Sequence, residues 1–139
     1  MYKLSKRSLG RLEGINDDLL SIVKESIKHS PWDFGIPQMG GMRTSEDQHY
    51  LYLRKVSQLD GYNKKSYHQT GKAFDIYLYI DGKASWDRDK LEDVAKHIIA
   101  VAADMGLEIT WGGDWDGDGI RVDKDADEHF FDGAHFQIK

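Results

Sequence analysis

Ser66-Tyr67-His68-Gln69-Thr70-Gly71-Lys72-Ala73-Phe74-Asp75-Ile76-Tyr77-Leu78-Tyr79-Ile80 is the stretch on which the fold turns. From Ala73 onward apolar and mixed residues alternate. Phe74, Ile76, Leu78 and Ile80 share one face; Ala73, Asp75, Tyr77 and Tyr79 share the other. That period of two predicts a half-buried strand over 73–80, entered from a polar loop at 61–70 and left through the turn signal Asp81-Gly82. His68 then stands where loop becomes strand, and Asp75 lies on the strand's polar face.

Outward from this strand the period changes. Ile15, Leu19, Val23 and Ile27 recur every fourth residue and predict a helix over 16–29, with Asn16 as its cap. A second helix is predicted from Ser45 to about Asp60-Gly61. The longest spans 86–105, with Leu91, Val94, Ala95, Ile98, Val101, Ala102 and Met105 on one face and Gly106 as its stop. Short strands are predicted at 33–38, at 107–111 (Leu107, Ile109, Trp111) and at 134–138. Helices and strands mix without a strict βαβ rhythm, so the fold class is α+β, a small antiparallel sheet with packed helices.

With 139 residues, 40% of them hydrophobic, the chain suits one domain over 1–139. It has no cysteine, which excludes disulfides, thiol catalysis and cysteine-ligated zinc. No apolar run is long enough for membrane insertion, and the basic start Met1-Tyr-Lys-Leu-Ser-Lys-Arg lacks the apolar stretch of a signal peptide. The net charge of −5 is concentrated: residues 114–128 hold seven of the 24 acids and two of the 19 bases, leaving the rest balanced. Nucleic-acid binding, which needs a basic surface, is excluded as a function.

Three motifs carry possible chemistry: Ser66-x-His68-x-x-Gly71-x-Ala73-x-Asp75, then Asp132-Gly133-Ala134-His135, then Gly40-Gly41-Met42-Arg43-Thr44. His135 falls on a terminal strand that could pair with the 73–80 strand. It shares a face with Gln137, while Phe136 and Ile138 point to the core. Two imidazoles and one carboxylate, with a fourth position left to water, make a zinc shell of the catalytic type. Read singly, such histidines are as well explained as surface or hydrogen-bonded residues.

These motifs resemble the zinc peptidases of the D-alanyl-D-alanine carboxypeptidase superfamily, whose fold is shared with the hedgehog signalling domain. More narrowly, the chain resembles the phage endolysins that are L-alanyl-D-glutamate endopeptidases. The resemblance runs from Ser8-Leu-x-Arg-Leu12 through the Gly-Met-Arg-Thr turn and Trp111-Gly-Gly-Asp114 to the closing Asp-Gly-x-His. It implies that His68, Asp75 and His135 bind zinc and that Asp132 is the catalytic carboxylate, where many relatives have Glu. It gives Arg43 a substrate carboxylate or the oxyanion to stabilise; apart from the resemblance Arg43 reads as a surface ion pair. Ser66 bonds to substrate or shapes its loop, and Trp111 walls the cleft or belongs to the core. His29, His49, His97 and His129 receive no role.

The implied activity is hydrolysis of the L-Ala–D-Glu bond in the peptidoglycan stem peptide, leading to bacterial lysis. The alternatives are a D-Ala-D-Ala carboxypeptidase of the same superfamily and a non-catalytic metal-binding module. Without a signal peptide, the protein is expected in the host cytoplasm until the membrane is permeabilised, and then in the wall. A monomer without a separate wall-binding module is expected. The acidic block has a reading of its own. Asp114-x-Asp116-x-Asp118-Gly119 opens like a calcium loop, with Asp125 at the twelfth position where an EF-hand has Glu. The bland alternative is a solvated acidic loop.

Overall fold

Ile76 divides the 73–80 run into two strands that serve different sheets, where the alternation predicts one. In the computed structural model, which describes residues 1–124 and 130–139, β2 is Ala73–Asp75 and β3 is Tyr77–Ile80. β3 pairs antiparallel with β1 (Asp33–Gly35) on one side and β4 (Lys83–Ser85) on the other. β2 pairs with β6 (His135–Ile138), which in turn pairs with β5 (Ile109–Trp111). The orders are therefore β1-β3-β4 and β2-β6-β5, both antiparallel. Periodicity records which face a side chain takes and is blind to which partner the backbone takes, so the change of sheet left no mark on the pattern. Both faces of the run are also covered more than expected: Ala73 and Tyr77 are buried alongside Phe74, Ile76 and Leu78.

Four α-helices surround the sheets. α1 (Lys6–Arg11) is too short for a periodic signal and was not anticipated; Ser5 caps it by accepting from the Ser8 N–H. The Ser8 hydroxyl accepts from the Ile36 N–H at 3.0 Å and ties α1 to the end of β1. α2 (Asp17–Ser26) starts at the expected Asn16 cap and runs on through a 3₁₀ turn at Ile27–His29. α3 (Ser45–Leu53) begins with a Thr44/Asp47 capping box. It stops well before the predicted Asp60, since Lys55 takes a left-handed φ of 62°. Asp60 instead organises a loop, one carboxylate oxygen accepting from the N–H groups of Tyr62, Asn63 and Lys64. α4 (Arg88–Asp104) buries Leu91, Val94, Ala95, Ile98 and Ala102 of the predicted stripe and packs on α2, while Val101 is only half-buried and Met105, at the C-cap, is exposed. The class is α+β, as expected.

Phe74 and Phe136 are cross-strand partners, both wholly buried, with rings stacked at 5.1 Å. They seat β2 against β6 and so fix the register of the residues on the opposite face. Phe136→Ala should cost about 3–5 kcal/mol, the usual range for emptying a buried aromatic site. Urea unfolding monitored by circular dichroism checks this: the midpoint should fall steeply while the slope with denaturant stays unchanged.

Candidate metal centre

Asp75 and His135 face each other because the β2–β6 register makes them direct cross-strand partners. His68 arrives from outside the sheet, on a 3₁₀ turn at Tyr67–Thr70. Ser66 caps that turn: its hydroxyl accepts from the His68 N–H at 3.2 Å, and its own N–H donates to Gln69 Oε1 at 2.9 Å. Gly71 closes the turn at φ 72°, a conformation that suits glycine, and leads straight into β2. The three side chains expected to act together are thereby brought together. His68 Nε2 lies 3.3 Å from His135 Nδ1, and each of these nitrogens lies 3.2 Å from Asp75 Oδ1.

The far nitrogens of the two rings decide what the near ones can do. His68 Nδ1 is 2.8 Å from the Gly41 carbonyl, which only accepts, so Nδ1 carries the hydrogen. His135 Nε2 is 2.7 Å from Gln137 Oε1 and donates in the same way. In the neutral rings, His68 Nε2 and His135 Nδ1 are then bare lone pairs aimed at a carboxylate oxygen. Three acceptors converge with no donor between them, an arrangement that requires a cation. Protonation is one answer: burial opposes it, but Asp75, Gln137 and Asp132 together raise His135 above an ordinary imidazole. A metal ion is the other. A tetrahedron with arms of roughly 2.0 Å has edges of about 3.3 Å, which the observed triangle matches. Two nitrogens and one carboxylate oxygen, each ring anchored on its far side, fit a zinc ion.

Gly41 is held close to make this possible. A Cβ there would lie 2.0 Å from the Arg11 carbonyl oxygen, so only glycine lets the Gly41 carbonyl reach His68. Gly112 plays the matching part below Asp132, where a Cβ would meet the Asp132 carbonyl oxygen at 2.2 Å. The Asp132 N–H donates to Gly112 O at 2.8 Å, and Asp132 O accepts from the His135 N–H at 3.0 Å. The Asp132 carboxyl is pushed up by burial and then by the charge of Asp75, against the pull of His135, His68 and Arg43. Trp111 is buried in the core cluster, and its indole N–H donates to Gly133 O at 2.8 Å, bracing the Asp132–His135 turn.

Arg43 adjoins Asp75, its side chain only 13% exposed. It donates to Asp75 Oδ2 at 2.9 Å, to Met39 O at 2.7 Å and to Gln48 Oε1 at 3.1 Å. Three of its five N–H groups are thus committed inside the protein. Gln48 was not singled out from the sequence, because a glutamine on a helix carries no pattern that reveals a wholly buried side chain. Gln137 had a signal, its alternation with His135. Trp115, also missed, lies with its ring 5.7 Å from that of His135.

Carboxylate oxygens of Asp114, Asp116 and Asp118 lie within 4.8 Å of one another. Asp114 Oδ2 accepts from the Gly119 N–H at 3.0 Å, and Gly119 has the φ of 84° that a sharp turn needs. Burial raises Asp114 most; the Gly119 N–H pulls the other way, and with Asp116 and Asp118 alongside it stands at about 6. Asp125 lies outside the described residues.

The profile of the phage L-alanyl-D-glutamate peptidase family matches residues 1–139. The L-alanyl-D-glutamate peptidase of Escherichia phage T5 is 29% identical over 99% of this chain and 98% of its own. Among solved structures, the Serratia marcescens L-Ala D-Glu endopeptidase ChiX is 26% identical with a TM-score of 0.75, over 96% of this chain and 87% of that one. The LD-carboxypeptidase LdcB, 21% identical with a TM-score of 0.54, covers 92% of this chain and 68% of its own. It shares the fold, which is that of the DD-peptidase and hedgehog-like superfamily.

The crowding at Asp114 has a pH signature. Its folded pKa lies above the unfolded value, so its contribution to stability is present below about pH 4 and is lost as pH rises through about 6. In chelator-treated protein, Asp114→Asn should therefore raise the unfolding midpoint at pH 7.5, by about 1 kcal/mol after discounting for solvent screening. Thermal melts across pH should show the gain vanish below about pH 4.

Proposed function

The chain belongs to the phage L-alanyl-D-glutamate peptidase family, and from that premise we propose how its residues cut the peptidoglycan stem peptide between L-Ala and D-Glu. The observation that carries the reading is the convergence of three lone-pair donors from His68, Asp75 and His135 on one point. These three residues would hold a zinc ion, which would supply Lewis acidity for activating water near neutral pH and for polarising the scissile carbonyl.

The chain's own residues do the rest. Asp132, tied by its backbone to Gly112 and His135, accepts the proton of the attacking water at its carboxylate. The new bond joins the water oxygen to the L-Ala carbonyl carbon. The C–N bond then breaks, and the proton held by Asp132 goes to the departing D-Glu nitrogen. Arg43 has two N–H groups beyond the three that hold Asp75, Met39 and Gln48, and these serve a substrate carboxylate or the oxyanion. Ser66, buried, shapes the site by capping the His68 turn with its hydroxyl, which is also the group it offers to substrate. The acidic loop takes calcium through Asp114, Asp116 and Asp118, the hard oxygen ligands that suit it.

A peptidase domain spans 1–139, its cleft recognises the stem peptide, and the protein acts as a monomer. Among the described residues no helix is long and apolar enough to cross a membrane. The route runs from host cytoplasm to wall after a separate protein permeabilises the membrane.

Mass spectrometry of fragments from purified peptidoglycan tests the bond. New N-terminal D-Glu is expected; free D-Ala would mean a carboxypeptidase, and no product a binding module. Asp132→Asn should keep its zinc and lose about 10²–10⁴-fold in turnover; near wild-type turnover would remove its role. Calorimetric titration of zinc-loaded protein should show saturable calcium binding at millimolar concentrations or below, abolished by Asp116→Ala with Asp118→Ala.

A further inference from the structure

We propose that Gln48 is a positioning residue for the metal centre, acting through Arg43 to hold the Asp75 carboxylate so that Oδ1 faces the two imidazoles. The inference rests on the reading of His68, Asp75 and His135 as a metal site. Gln48 lies on α3 with no exposed surface, and every polar atom of its amide has a partner. Oε1 accepts from Arg43 Nη1 at 3.1 Å. Nε2 donates to Ser57 Oγ and to Leu59 O, both at 2.9 Å. The amide has one possible orientation here, because a guanidinium only donates and a carbonyl only accepts.

The consequence passes along a short chain of bonds. Asp75 can rotate about its terminal torsion, which is broad for a carboxylate. Arg43 Nη2 on Oδ2 stops that rotation and leaves Oδ1 aimed between His68 and His135. Arg43 itself is a long side chain with several rotatable bonds. Two anchors besides Asp75 keep its fork in place: Met39 O on Nε and Gln48 Oε1 on Nη1. Met39 O fixes the position of Nε, and Gln48 fixes the twist of the guanidinium plane about it. Without Gln48 the Nη atoms are free to turn away from Asp75. Arg43 is one bond removed from the ligand, and loss of such a partner typically changes metal affinity by about 10–100-fold; removing Gln48 acts by releasing Arg43.

Two substitutions separate this role from simple filling of space. Gln48→Met keeps the length of the side chain and removes the acceptor for Arg43. Gln48→Glu keeps an acceptor for Arg43 and sacrifices the donation to Leu59 O, so it disturbs the loop and spares the relay. Zinc affinity would be measured by chelator competition, and the visible absorption of the cobalt-substituted protein would report ligand geometry. Gln48→Met should lose about 10–100-fold in zinc affinity and show an altered cobalt spectrum. Gln48→Glu should recover most of the affinity and the wild-type spectrum, even if less stable. Equal affinities and spectra for wild type and folded Gln48→Met would overturn the proposal, as would an equal loss in both variants. If Gln48→Met does not fold, Arg43→Lys decides, since an ammonium cannot hold all three partners at once; a wild-type cobalt spectrum there also overturns it. Failure of the wild-type protein to bind zinc at all would instead bring down the metal reading, and the relay with it.

Discussion

Direct opposition of Asp75 and His135 across the β2–β6 ladder is the constraint on which the centre depends. A slip of β6 by one residue would turn His135 to the face opposite Asp75 and part the two. The register is guarded on that other face by the stacked Phe74 and Phe136, where slippage would expose two wholly buried rings. Apolar burial, which has no directional demand of its own, thus sets the distance between two polar ligands. The Ile76 N–H still donates to Ala134 O, carrying the β2–β6 pairing one step past Asp75 before the chain crosses to the other sheet as β3.

The polar side of the centre is built by backbone carbonyls and amides more than by charge. Gly41 O orients His68, Gln137 orients His135, and the Gly112–Asp132 exchange sets the turn before His135. Each needs a close backbone approach, and at Gly41 and Gly112 no side chain fits. Arg43 and Gln48 extend this pattern to the carboxylate. A buried guanidinium with an orphaned N–H would be costly, so Gln48 satisfies Arg43 at the same time as it aims it.

How much of this was legible follows from what each pattern encodes. His68, Asp75 and His135 were singled out together through the family resemblance; alternation alone reported the faces of Asp75, His135 and Gln137 and left the histidines open to other roles. The α4 stripe was readable as a face in the same way, at a period of 3.6. The split at Ile76 was not, since it concerns backbone partners. α1 was missed because six residues make less than two turns. Gln48 was missed because burial of a polar group is justified by its partners, here Arg43, Ser57 and Leu59, and only the folded loops around α3 bring these onto one amide. Ser66 and Trp111 each had two readings. The structure finds the hydroxyl of Ser66 capping the His68 turn and places Trp111 in the core.

Trp115 shows why the acidic loop and the metal centre have to be considered together. It lies between Asp114 and Asp116, so any change in how those carboxylates settle moves its backbone. Its ring leans on His135 at 5.7 Å and stacks on Phe130 at 6.4 Å, with its indole N–H donating to Phe130 O. His135 in turn is held on its far side by Gln137 and cannot yield without losing that bond. The acidic loop thus reaches the His68–Asp75–His135 cluster through the chain of Trp115, whose ring packs on His135 and is fixed at its far side by Phe130.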